Sequence, residues 1–145
     1  MAKRISNMNQ LEKALQPVMV KMVDELAERV YQTLNYFLQE YYIGWEPSSY
    51  RRTEAFLQSA VKIDAKPYKN GAKASVYIDY DSMDEYVNAT GFQVTEWANT
   101  GLHGGLSVNH KPYVWDDTMD NTINNGSLLQ LAIQYLKSQG IPVRS

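Results

Sequence analysis

The stretch Lys62–Tyr80, KIDAKPYKNGAKASVYIDY, decides the fold class. Two β-prone segments, Lys62–Lys66 and Lys73–Tyr80, flank the residues PYKNGA. Asn70-Gly71 supplies the positive φ that a tight turn needs, so the stretch is expected to be a β-hairpin. In its second arm Val76, Ile78 and Tyr80 alternate with Tyr77 and Asp79, the period of a strand with one covered face.

Upstream, Asn9–Tyr42 has helical periodicity. Val23, Leu26, Ala27, Val30, Leu34, Phe37, Leu38 and Tyr41 recur at steps of three and four and form one apolar stripe. Pro17 lacks an N–H and clashes with the preceding turn, so a short helix to about Gln16 and a kink or fresh start at Pro17 are expected. From Pro17 to Tyr42 the helix measures roughly 39 Å. A compact domain of this size is only about 38 Å across, so the helix spans it. Gly44 ends the helix, and Pro47 lies in the link that follows. Ser48 or Ser49 can cap a second helix over about Tyr50–Val61, with Phe56, Leu57 and Ala60 inward.

Downstream, residues 81–90 suit a short helix or a loop. Gly91–Asp120 is rich in Gly, Asn and Thr and is expected to be a long irregular loop. Within it Phe92, Val94 and Trp97 suit a strand, His103-Gly104-Gly105 a turn, and Tyr113–Trp115 a short segment. Ser127 is placed to cap a last helix to about Gln139, with Leu128, Leu131, Ala132, Tyr135 and Leu136 apolar and Gly140 as its stop. These elements make one α+β domain over residues 1–145. A long N-terminal helix and a C-terminal helix pack on a small antiparallel sheet. Flexible ends are expected at 1–8 and 140–145.

Composition narrows the function. The chain has no cysteine, which removes disulfides, thiolate metal sites and cysteine nucleophiles. No run of apolar residues is long enough to span a membrane, and no apolar segment follows Lys3-Arg4 as a signal peptide requires. The net charge of −2 argues against a general nucleic-acid binder, and no sequence-specific nucleic-acid partner is expected. Its distribution is uneven: residues 61–80 hold four lysines and two acids, whereas 81–126 hold one lysine and seven acids. Complementary patches on one chain favour head-to-tail contacts of the kind that close rings, although solubility alone also explains them. Eleven tyrosines suit surfaces that meet other proteins.

Chemistry finds little footing. His103, His110 and Asp116 offer two imidazoles and a carboxylate for a small metal-dependent or acid–base hydrolase. The H-x₆-H spacing, however, matches no helical zinc pattern. Asp116-Asp117 and Asp84-Glu85 are adjacent pairs, not carboxylates opposed across a cleft, and suit a solvated face or a helix start. No phosphate loop, G-x-G-x-x-G or nucleophile elbow is present. No catalysis and no cofactor are expected. A monomeric adaptor that lays its acidic segment on a basic partner is a further alternative.

Large apolar groups in an irregular segment gain full burial only under a partner, which singles out Trp97 and Trp115. Arg51-Arg52 at a helix start oppose the helix dipole and are suited to a neighbour's carboxylate, or to Glu46 or Glu54 of the same chain. The order of an N-terminal helix, Tyr50-Arg51-Arg52-Thr53 with Leu57 and Ser59, His103-Gly104-Gly105 and Trp115-Asp116 resembles the small neck or tail-completion proteins of long-tailed bacteriophages. Glu54 stands where many relatives have Gly. The resemblance implies a non-catalytic α+β virion subunit in a six- or twelve-fold ring at the head–tail junction. Its partners would be copies of itself and other neck, connector or tail-tube proteins, and it would be made in the host bacterial cytoplasm. Trp45, Tyr50, Arg51, Arg52, Trp97, His103, Trp115, Asp116 and Asp117 are the expected interface residues.

Overall fold

The computed structural model describes residues 4–44, 56–80, 91–100, 102–103, 106–107 and 113–144. Helix α1 (Met8–Gly44) begins on a built cap. The Asn7 carboxamide oxygen accepts the Gln10 N–H (2.9 Å), and the Gln10 side chain accepts the Ser6 N–H (2.8 Å). Orphan amides of the first turn are thereby satisfied, so Ser6–Met8 form the start of the helix where a loose end was expected.

The expected break at Pro17 does not occur, and α1 runs through it. The proline deprives only the Lys13 carbonyl of a partner, and both residues are exposed, so water can replace that bond. At 37 residues α1 is about 55 Å long.

Strands β1 (Ala60–Tyr68) and β2 (Gly71–Ile78) form the expected antiparallel hairpin, with β1 extended at both ends of its β-prone segment and β2 beginning and ending two residues earlier than expected. Residues 50–55 of the expected second helix lie outside the described residues. Its end is corrected: Phe56–Gln58 form a turn, and Ala60-Val61 already belong to β1. Tyr68 pairs with Gly71, which leaves Lys69-Asn70 as the turn. The residue with positive φ is Lys69 (52°), not Asn70 or Gly71.

The hairpin lies along α1, held at three levels. Near the tip, Gln16 donates from Nε2 to the carbonyls of Lys69 (3.2 Å) and Gly71 (3.1 Å). Half-way down, Asp24 accepts the Ala65 N–H (2.9 Å). At the base, Leu34, Leu38 and Tyr41 of α1 enclose a core with Phe56 and Ile78. Eight helical residues from Gln16 to Asp24 advance about 12 Å, and four strand residues from Lys69 to Ala65 about 13 Å, so the two elements keep step.

Helix α2 (Gly91–Thr100) replaces the strand expected around Phe92–Trp97. Two short strands, β3 (Leu102–His103) and β4 (Leu106–Ser107), pair antiparallel, and α3 (Val114–Asp120) follows. The expected long loop thus contains two helices and a small strand pair. Ala98 of α2 and Val114 of α3 are buried in the core at the base of the hairpin. Beyond it, Thr118 and Thr122 are buried with their hydroxyls donating to the carbonyls four residues earlier, both at 2.7 Å. Among the described residues no buried side-chain polar atom lacks a partner.

Helix α4 (Ser127–Ser138) packs on α1. Its cap is Gly126 at φ 80°, one residue before the Ser127 expected, and Asn125 Oδ1 accepts the Ser127 N–H (3.0 Å). Gly140, at φ 77°, is the stop as expected. Its N–H reaches the Lys137 carbonyl, and that of Ile141 reaches Leu136, the paired bonds of a Schellman motif. The class is α+β, with a long N-terminal helix, a small two-stranded sheet and the C-terminal helices.

Candidate functional site

The inner face of the hairpin contains one cation. Lys62 stands opposite Val76, on the face that also carries Ala60 and Ile78 towards α1. Its ammonium lies 3.2 Å from Asp24, 3.3 Å from Glu28 and 3.3 Å from Asp64. Asp24 and Glu28 are one helical turn apart, so both reach the same point. Burial alone would lower the Lys62 pKa, but the three carboxylate contacts outweigh it and raise the group above the ordinary lysine range. The Ala65 N–H holds Asp24 below its usual value, with burial opposing and Lys62 assisting. The Lys62 cation is neutralised within the chain, the three carboxylates leave the cluster with a net negative charge, and the contacts with Asp24 and Glu28 fasten β1 to α1.

The acidic pair at 116–117 also has a local task. Asn99 of α2 accepts the Asp116 N–H at its Oδ1 (2.7 Å) and donates from Nδ2 to the Asp116 carboxylate (3.3 Å). Asp117 Oδ2 accepts the Tyr113 N–H (3.0 Å). These bonds satisfy amides at the start of α3, which has no side-chain cap of its own. Of the two readings of the acid pair, a helix start or a solvated face, Asp117 is the former and Asp116 is both: its carboxylate is exposed.

The other expected interface residues divide by position. Trp115 is half-buried and packs against the core of its own chain. Trp97 lies in α2 and His103 in β3, with their side chains outside the description. Trp45, Tyr50, Arg51, Arg52 and His110 lie outside the described residues. The grouping of His103, His110 and Asp116 therefore lies outside the described residues, and among the described residues no three His, Asp or Glu are grouped to hold a metal ion. No helix among them is long and apolar enough to cross a membrane.

What stands out instead is apolar surface on the outside. Val61 and Ile63 of β1 share the outer hairpin face with Tyr77 of β2. Ile63 is 40% and Tyr77 41% exposed. Tyr80 and Phe92 meet edge to face, ring centroids 5.4 Å apart, and both are exposed. At the hairpin tip the exposed Tyr68 ring lies between the ammonium groups of Lys69 (5.4 Å) and Lys73 (5.2 Å). Leu129 projects from α4. The tryptophans drew attention by size, whereas Val61, Ile63 and Tyr77 are marked only by register: ahead of the shift between Ile63 and Lys66, alternate positions of β1 face away from α1.

The class defined is a small α+β chain in which Lys62, Asn99, Asp116 and Asp117 fasten its own frame, while Tyr68, Tyr77, Tyr80 and Phe92 are exposed on its surface. The chain belongs to the YomN family, matched over residues 7–138, a span that takes in every element from α1 to α4. The family is phage-derived. No curated protein and no solved structure matches the chain.

Proposed function

We propose that the chain is a non-catalytic structural subunit of a tailed-phage virion, and that it assembles as a ring at the head–tail junction as a neck or tail-completion component. The observation that carries this reading is the exposed apolar side chains on the outer face of the hairpin. A two-stranded sheet with one face on a helix turns its other face away from that helix, and here that face carries the half-buried Val61 beside the exposed Ile63 and Tyr77. Exposed apolar positions on a sheet are the usual starting point of protein–protein pairing. Membership of a phage-derived family supports the virion setting. The local tasks of Asp116 and Asp117 support a structural role over an acid–base one.

A nonsense mutation in the gene tests the reading within the phage itself. Induced lysates are expected to contain full heads and finished tails that remain unjoined under the electron microscope. Added protein should restore infectious particles. Joined, infectious particles made without the protein would defeat the proposal.

A further inference from the structure

The hairpin tip and the α2–α3 end differ in charge and lie far apart. Between Lys66 and Lys73 the chain has three lysines and no acid. All three are exposed, and among the described residues the ion pairs are all made by Lys62, so none neutralises the tip. Lys66 and Lys73 are directly paired across the strands, an arrangement that costs stability when both carry the same charge. A local cost of that kind, around an exposed tyrosine, points to a use outside the chain. At the other end Asp116 and Asp120 lie one turn apart on α3 and accept hydrogen bonds only from amides, those of Asn99 and Asn124. The described residues from Gly91 to Leu136 include no lysine or arginine.

The tip sits at Gln16 of α1, and α3 packs at the level of Leu34–Tyr41. Along α1 that separation is about 27–38 Å. The screening length in physiological salt is about 8 Å, so the two ends do not neutralise each other within one chain.

We propose that the tip of one copy docks on the α2–α3 end of a second copy, Lys66, Lys69 and Lys73 facing Asp116 and Asp120, and Tyr68 reaching the Tyr80–Phe92 pair. The contact rests on the assembly reading above and names its surfaces. It is heterologous, because the two patches differ, and so it propagates from copy to copy until a ring closes. Phe92 lies two turns from Asn99 on the same side of α2, a rise of about 10 Å, and Asn99 holds Asp116, so the aromatic pair and the start of α3 lie at the same end of the molecule. A second copy fits the tip better than a nucleic acid does. With the three tip lysines set aside, the rest of the chain goes from −2 to −5. A polyanion long enough to run beyond the tip meets that negative remainder along its path, whereas a neighbouring copy presents its acidic end as the binding surface.

Sedimentation velocity on the full chain, over a range of concentration and salt, tests the contact with a charge exchange. One variant has Lys66→Glu, Lys69→Glu and Lys73→Glu; another has Asp116→Lys and Asp120→Lys; a third combines all five. The wild type is expected to self-associate and to dissociate as salt rises. Each single-patch variant should associate at least about tenfold more weakly, as like charges then meet. Mixing the two, or combining them in one chain, should restore association, a recovery that misfolding cannot imitate. Wild type that remains monomeric at low salt overturns the contact. Association that persists unchanged in both single-patch variants also overturns it, while leaving assembly through another surface intact. If the lysine variant instead loses retention of a short DNA duplex with self-association unaltered, the tip is a nucleic-acid site and the proposal fails.

Discussion

The hairpin on α1 and the segment from Gly91 to Asp120 reach order by different routes. In the first, each element has enough residues to show its own period, and Gln16, Asp24 and Lys62 then fasten two elements that already exist. In the second, α2 has ten residues and α3 seven, and α3 takes a cap from a side chain of α2. Helices so short are marginal on their own. The first region is specified locally and the second by contact, so they should respond differently to substitution.

The largest effect is expected where the two regions share one core. Leu38 is fully buried in the one core cluster that holds Phe56 and Ile78 from the hairpin side and Ala98 and Val114 from the α2–α3 side. Leu38→Ala should cost about 3 kcal/mol, from lost transfer energy and the cavity left behind. Chemical denaturation followed by far-ultraviolet dichroism measures it. A loss confined to the second region, with the hairpin still protected from hydrogen exchange, would show two separable units. Pro17→Ala acts in the opposite direction. It restores one helical bond at an exposed position and should add roughly 2 kcal/mol, since an interior proline costs about 3 and part of that is offset in the unfolded chain. No gain on denaturation would mean that the helix has already accommodated the proline.

The contrast also explains what the sequence discloses. Leu34, Leu38 and Tyr41 stand at helical spacing, so the long helix and the core residues on it are legible. Ile78 and Val76 alternate, so the hairpin is legible too, although its turn is displaced because Lys69, not Asn70 or Gly71, takes the positive φ. Phe92, Val94 and Trp97 look like strand because three apolar residues fit either period. What decides for helix is Ala98, a small residue at the core, together with Asn99 across from α3. Both are tertiary facts, and no spacing announces them. Asp116-Asp117 is visible as a possible helix start, but its partner Asn99, 17 residues earlier, is not. Lys62 reads as one of a basic run and proves to be the one neutralised internally.

The fastener between α1 and the hairpin should give an intermediate effect with a defined pH signature. Lys62→Met keeps the aliphatic stem and leaves Asp24 and Glu28 facing each other without a cation. The expected cost is about 1–2 kcal/mol, in the range of a few charge-assisted contacts near the surface. Asp24 has a lowered folded-state pKa, so its contribution is complete above the ordinary value of 3.8 and is lost as the pH falls through the folded value. Lys62 has a raised one, so its contribution is complete below the ordinary lysine value and is lost only at more alkaline pH. Stability measured from pH 6 downwards should therefore fall less steeply in Asp24→Asn than in the wild type once the pH drops below about 4. Parallel curves would remove Asp24 from the acid response.

The smallest effect is the most discriminating for the second region. Asn99→Ala removes the acceptor of the Asp116 N–H and the donor to its carboxylate together, and should cost about 1 kcal/mol, as the loss of an N-cap does. If α3 is specified by contact, that cost should concentrate in α3 and in its junction with α2. Amide exchange of Asp116 and Asp117 would accelerate while that of β1 and β2 stays as before. Asn99→Asp sharpens the point. A carboxylate can still accept the amide hydrogen bond, but it cannot donate to Asp116 and brings a second negative charge beside it. Protection of the Asp116 amide should then recover in acid, where the introduced carboxyl gains a proton and can donate again, and remain poor at neutral pH. Equal protection at both pH values would show that α3 holds its first turn without the donated bond, and the two regions would then differ in length alone.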